Sequence, residues 1–386
     1  MNKIFYWCPF ISEVATVQSV INSTLSLKKF SRNKAIPYIL NVADEWSPQI
    51  NILKKNNIQI IDFKNKNLVK KLPKLGFISS RFSYLVIAIF SIFKLHKILK
   101  KEKPNFIIIH LISAIPLILL SFFNYKTKFI LRVSGYPILS SIRVIFWRSL
   151  NKKLYAITVP TKQTLELLSN RNIFDKKKLT YLPDPAINIK EINKKKLVGD
   201  ILEKNFTSEN SLLSIGRLTK QKNYEFLVEG FMEVSKHYPN LNLFIIGDGE
   251  NKDLLVRKIK NKKMENKIFL LGYKKNVFKY LQKCKFFILS SKYEDPGFVI
   301  LEAGFMNKIV LSSNCPNGPM ELIDNEKNGY LFKENSIKDF LNSFKRMIDD
   351  NNDTKLKKKI NLKKKCKEFT LFNHYQKFKK ILINEN

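Results

Sequence analysis

Acids are scarce in this chain, clustered metal ligands are missing, and no apolar run has the length and purity of a membrane span. Its 386 residues hold 32 Asp and Glu against 69 Lys and Arg, a formal net charge of +37. Arginine is scarce in its turn, with nine Arg beside 60 Lys. Proteins that read nucleic acid lean on Arg for bidentate contacts with bases and phosphates, so the Lys excess argues for no nucleic-acid partner. It does argue for affinity toward anionic surfaces, membranes included. Cys8, Cys284, Cys315 and Cys366 are scattered, with no Cys-x-x-Cys pair and no Cys/His cluster. That excludes a disulfide framework or a zinc site of ordinary spacing and implies a reducing compartment. The opening MNKIFYWCPF has one Lys and no apolar core of signal-peptide length, and reads as a first strand.

Two apolar segments raise the membrane question. Residues 82–93 (FSYLVIAIFSIF) are too few to span and run into KLHKILKKEK; residues 107–123 are broken by His110, Ser113 and Pro116. The expectation is a basic, apolar helix near residues 80–103 lying at a membrane interface rather than crossing it.

What the chain does have is 45% hydrophobic residues and length enough for two domains. Strand and helix patterns alternate from residue 3 to residue 182, with Ser12 a candidate cap for a helix over residues 14–27. Residues 183–209, opening PDPAINIKEINKKK, break the rhythm and read as a linker. Alternation resumes from residue 211 to residue 312, and a Lys-rich helical tail follows from residue 355. Such alternation predicts α/β architecture with doubly wound parallel sheets, whose ligands sit beyond the carboxyl ends of the strands.

Three motifs fall at such places. In LLSIGRLTKQKN a strand ends at Gly216, and Arg217 and Lys222 follow before a helix, two cations suited to a diphosphate. In LFIIGDGE the turn glycines Gly247 and Gly249 permit conformations closed to bulkier residues and let a ligand approach the backbone. This is neither a Walker loop nor the dinucleotide fingerprint. In YEDPGFVILEAGF, Glu294 sits in a loop, Pro296 and Gly297 turn, and Phe298 opens a helix whose free amides suit a phosphate or a sugar hydroxyl. Glu302 lies one turn inside. Two acids so placed serve as acceptors for vicinal hydroxyls rather than as a metal box, and no Asp-x-Asp motif stands beside them.

In this order and spacing, GRL-x3-K, the GDGE turn, LLG ending at Gly272, the Glu294 and Glu302 pair and NCPNGPMELI resemble the retaining glycosyltransferases of family 4, within group 1. The resemblance is strongest over residues 210–335 and extends more loosely through IIIH, LRVSGYP, TVPTKQTLELL and LPDPAI in the first half. It implies a GT-B fold, two Rossmann-like domains facing across a cleft. An acceptor domain would cover residues 1–185, a nucleotide-sugar domain 186–365, and a helix over 366–386 would return to the first.

The resemblance also implies roles. Arg217 and Lys222, next to Gly216, would hold the donor diphosphate and stabilise the leaving nucleoside diphosphate. Glu302 would bind the ribose hydroxyls and Glu294 the transferred sugar. Backbone amides of Gly297, Phe298 and Val299 would contact sugar and phosphate, Tyr273 the base, and His110 the donor sugar. The family's glycine-rich N-terminal loop is replaced by PFISEVAT, where Ser12 or Thr16 would have to substitute.

The expected activity is retaining hexosyl transfer from a nucleotide sugar, a UDP-sugar by expectation, with no cofactor and no metal. The expected acceptor is a lipid-linked saccharide in surface polysaccharide assembly, O-antigen, capsule or lipopolysaccharide. The place is the cytoplasmic face of the membrane, as a peripheral protein on anionic lipid. The alternatives are a nucleotide-sugar 2-epimerase on the same fold and a non-catalytic basic protein binding membrane or nucleic acid.

Overall fold

The computed structural model describes residues 2–11, 14–73, 77–198 and 202–383. They form two compact units: Met1–Pro185 with Leu371–Asn386, and Ala186–Thr370.

The first unit is built on seven strands, β1 (Asn2–Trp7), β2 (Ala35–Asn41), β3 (Gln59–Asp62), β4 (Phe106–Ile109), β5 (Lys128–Arg132), β6 (Ala156–Val159) and β7 (Leu179–Tyr181). Their order is β3-β2-β1-β4-β5-β6-β7, and every pairing is parallel. Alternate residues of each strand feed opposite cores. Ile107 and Ile109 of β4 lie in one cluster, Phe106 and Ile108 in the other, and all four are buried. Burial on both faces is the condition under which parallel sheets occur.

The second unit repeats the plan with β8 (Ser211–Ile215), β9 (Asn242–Ile246), β10 (Ile268–Leu270), β11 (Phe286–Leu289), β12 (Val310–Ser313) and β13 (Tyr330–Phe332). The order is β10-β9-β8-β11-β12-β13, again all parallel. Strand order reverses between β1 and β4 in one sheet and between β8 and β11 in the other. Crevices at such reversals are where open α/β sheets hold ligands. Two Rossmann-like, doubly wound sheets are therefore present, as the alternation predicts.

Three details differ from the sequence reading. Residues 186–198 are not a bare linker: Ile189–Lys195 is a helix, and Ile187, Ile192 and Phe206 are buried in the second unit's core. Charge masked that short apolar set. The helix Asn352–Cys366 stays with the second unit, where Gly304 leaves room for Leu362 and Cys366. The segment belonging to the first unit accordingly begins at Leu371, five residues later than the sequence boundary. Its helix, Leu371–Ile383, packs on Ala15–Phe30, with Phe372 edge-on to Phe30 at 5.2 Å. Ser12, the expected cap of that partner helix, lies outside the described residues; Val14 occupies the cap position without a side-chain bond.

Candidate functional site

At the reversal of the second sheet, the loops after β8 and β11 are tied to each other. Lys292 N donates to the Gln221 carbonyl at 2.8 Å, Gln221 Nε2 to the Tyr293 carbonyl at 2.9 Å, and Ser290 Oγ to the Lys222 carbonyl at 2.9 Å. Across this seam Lys222 Nζ meets Glu294 Oε1 at 2.5 Å, with both side chains largely buried. Ser291 Oγ donates to the same oxygen at 2.5 Å. Both bonds fall on Oε1, so Oε2 keeps its acceptor capacity for another donor. Gly216 makes the approach possible: a Cβ there would stand 3.1 Å from Lys222 Cε and 3.0 Å from the Tyr224 hydroxyl.

Glycines interlock the remaining loops on this edge. A Cβ on Gly247 would lie 1.9 Å from the Gly216 carbonyl oxygen, and one on Gly249 would lie 2.5 Å from that of Leu218. The GDG turn thus serves loop-to-loop contact, with Gly216 N donating to Ile246 and Gly247 N to Gly272. The loop after β12 closes the far side. Asn317 Nδ2 donates to Asp295 Oδ1 at 3.0 Å, and a side chain on Gly318 would strike the Pro296 carbonyl.

Gly297, with φ +87, caps the helix Phe298–Phe305 and sets Phe298 and Val299 at its first turn. Glu302, one turn on, is partly exposed. Desolvation raises its carboxyl to about 7, an effect that Lys195 offsets and Glu191 reinforces. Its charged neighbours therefore come from the helix Ile189–Lys195, whereas Lys222 and Glu294 neighbour each other. Arg217 and Tyr273 follow β8 and β10 directly and are exposed on the same edge. Gly216 thus approaches Lys222, Lys222 meets Glu294 and Glu294 approaches Gly297, while Arg217, Tyr273 and Glu302 follow strands of the same sheet. Ser291, which fixes the Glu294 rotamer, has no sequence signal beyond its place before YEDPG.

His110 belongs to the first unit, at the end of β4. It is 8% exposed, stacks on Tyr6 at 6.0 Å, and has no hydrogen-bond partner among the described residues for either ring nitrogen. Burial pushes it down to about 3, so it is a neutral imidazole. It faces a small cavity lined by Ser19, Arg132, Asp184 and His374 that admits no hexose as it stands. Two blocks of the sequence meet here: Arg132 of LRVSGYP pairs with Asp184 of LPDPAI at 2.7 Å. Pro183 offers only an acceptor, so His374 Nδ1 carries the proton of their 2.8 Å bond, and Nε2 accepts from Ser23 at 2.9 Å. The strap that ends the first unit is held by these side chains.

The fold and the site define a class, and the comparisons agree with it. The chain aligns over 99% of its length with HepE of Anabaena, solved with UDP and glucose, covering 100% of that chain with a TM-score of 0.72 and 15% identity. Two parallel-sheet Rossmann-like domains of this kind are the GT-B fold. Residues 201–368, nearly all of the second unit, match the family model of the glycosyl transferases group 1. An uncharacterized glycosyltransferase of Methanocaldococcus jannaschii is 34% identical over 61% of this chain and 62% of its own length. A second relative is the N-acetylgalactosamine-N,N'-diacetylbacillosaminyl-diphospho-undecaprenol 4-alpha-N-acetylgalactosaminyltransferase of Campylobacter jejuni. It is 28% identical over 59% of this chain and 62% of its own. The matches span about three fifths of these relatives.

Proposed function

We propose that the protein is a retaining glycosyltransferase that moves a hexosyl unit from a UDP-sugar to a hydroxyl of a lipid-linked saccharide, at the cytoplasmic surface of a membrane. The observation that carries the reading is the Lys222–Glu294 pair, fixed at the reversal of the second sheet and inside the residues matched to the family. The UDP and glucose bound by HepE and the diphospho-undecaprenol in the Campylobacter enzyme's name support the donor and acceptor classes.

Breaking the glycosyl–phosphate bond gathers negative charge on the diphosphate and positive charge on the sugar. Arg217 and the two uncommitted N–H groups of Lys222 meet the first. Glu294 Oε2 accepts from a sugar hydroxyl, and Glu302 takes the ribose. Because Lys222 is already held in place, little reorganisation is needed as charge develops. The departing phosphate oxygen takes the acceptor's proton, so neither a metal nor a side-chain base enters the scheme. Neutral His110 supplies no proton.

The test is a panel of UDP-, GDP- and ADP-sugars, assayed for transfer to a lipid-linked saccharide, with the product's anomeric configuration read by NMR. Transfer from a UDP-sugar with retention is expected, and Arg217→Ala should lose about 3–4 kcal/mol of transition-state stabilisation. Product from donor alone would instead indicate an epimerase. Wild-type turnover in Arg217→Ala would remove that residue's assignment.

A further inference from the structure

Strands β5, β6 and β7 are parallel neighbours, so the turns that lead into them meet at the amino edge of the first sheet. Each turn brings two lysines: Lys126 and Lys128 at the start of β5, Lys152 and Lys153 before β6, Lys177 and Lys178 before β7. Together they line a groove of about 510 Å³. Six of its ten lining residues are Lys, against 60 of the chain's 386, and none of the ten is acidic.

The lysines divide by what holds them. Lys178 Nζ donates to the Asn151, Lys152 and Leu154 carbonyls at 2.6, 3.2 and 2.7 Å, spending its three donors on the turn before β6. Lys153 Nζ donates to the Leu120 and Ser121 carbonyls at 3.0 and 2.8 Å and keeps one donor. These two fasten the floor. Among the described residues no acid pairs with Lys126, Lys128, Lys152 or Lys177, and Lys128 stands over the Tyr155 ring at 4.5 Å. The nearby carboxylate, Asp175, accepts from the Lys177 backbone N–H at 3.0 Å. Thr127 lies among them, 5% exposed, and its hydroxyl has no partner among the described residues. A buried hydroxyl left unpaired and ammoniums crowded without counter-charge both cost stability that a bound anion returns.

We infer that this groove binds a chain of linked phosphates. Lys126, Lys128, Lys152 and Lys177 meet the phosphate oxygens as point charges, and the last N–H of Lys153 and the Thr127 hydroxyl donate from the floor. Three strands at a spacing of ~4.8 Å set the lysine pairs across ~10 Å, more than a single phosphate spans. Lipid headgroups carry such phosphates too, but Leu154, the aliphatic side chain of the lining, is 1% exposed and offers a lipid chain no wall; the ligand is a soluble one. Nothing in this site depends on Lys222 or Glu294, which stand in the other unit.

The probe is sodium tripolyphosphate, titrated calorimetrically into the full chain at fixed ionic strength, with UDP in excess to occupy the donor edge. It should bind about tenfold or more tighter than orthophosphate. Lys126→Gln with Lys152→Gln and Lys177→Gln should lose about tenfold or more, and Thr127→Val about threefold, with melting temperatures no lower than wild type. A control that removes as much charge elsewhere, Lys262→Gln with Lys263→Gln and Lys364→Gln, should bind as wild type does. Vesicles of equal phosphatidylglycerol and phosphatidylcholine should not tell wild type from the groove variant. Equal losses in the control and the groove variant, tripolyphosphate no tighter than orthophosphate, or a groove-variant loss seen on vesicles alone overturns the inference.

Discussion

Glu302 shows what single residues decide here. Its place one turn inside a helix was legible from spacing; its surroundings were not, because the helix Ile189–Lys195 comes from a stretch that reads as linker. Desolvation there puts its folded pKa near 7, above the usual 4.5. A raised carboxyl pKa means that folding favours the protonated form. The resulting loss of stability is absent below about pH 4.5, grows through the interval and is complete above about pH 7. Glu302→Gln should therefore melt several degrees above wild type near pH 8.5 and together with it near pH 5. Ribose binding needs the ionised acceptor, so wild-type affinity for UDP should fall as pH drops below 7 while the Gln variant stays weak and flat. Parallel pH profiles for the two proteins would remove the ribose role. Arg132, Asp184 and His374 were not legible as a cluster, since they meet only through the tertiary fold.

At the scale of elements, the strands and their parallel order followed from alternation, because both faces of each sheet are buried and each strand is an apolar run bounded by turns. The helix Ile337–Asp349 lies outside that reading, though Ser336 caps it at Asp339 N and Phe340, Phe344 and Met347 are buried along one side. The strand Tyr330–Phe332 is three residues long and gives too little pattern to separate from a loop. The glycines of the GDG turn also admit neighbouring loops, which spacing alone does not show. Two substitutions separate space from backbone conformation. Gly272, with φ +67 and open space around its Cβ position, should cost about 1 kcal/mol on change to Ala. Gly247→Ala meets the Gly216 carbonyl and should cost about 3 kcal/mol or more, taking UDP affinity with it by displacing Arg217. Denaturant titration with a UDP binding assay checks both, and equal losses would contradict the loop-contact account.

For the whole molecule, each sheet has its own reversal of strand order, and the proposed function puts the nucleotide diphosphate at that of the second unit. The apolar segment that raised the membrane question is a crossover helix between β3 and β4, anchored to the sheet by Ile87, Leu95 and Leu99. Length and composition alone would let Arg81–Glu102 cross a membrane, but only 28% of its most apolar window is buried, so it is not an ordinary core helix either. The sequence could not reveal which side of the helix meets the sheet, and that is what leaves Phe82, Leu85, Ile89 and Phe93 exposed. Hydrogen exchange of the full chain with and without UDP tests the central claim most directly. Slowed exchange concentrated in residues 216–223, 272–274 and 291–302 is the predicted result. Protection confined to the first unit, or none anywhere, would contradict it.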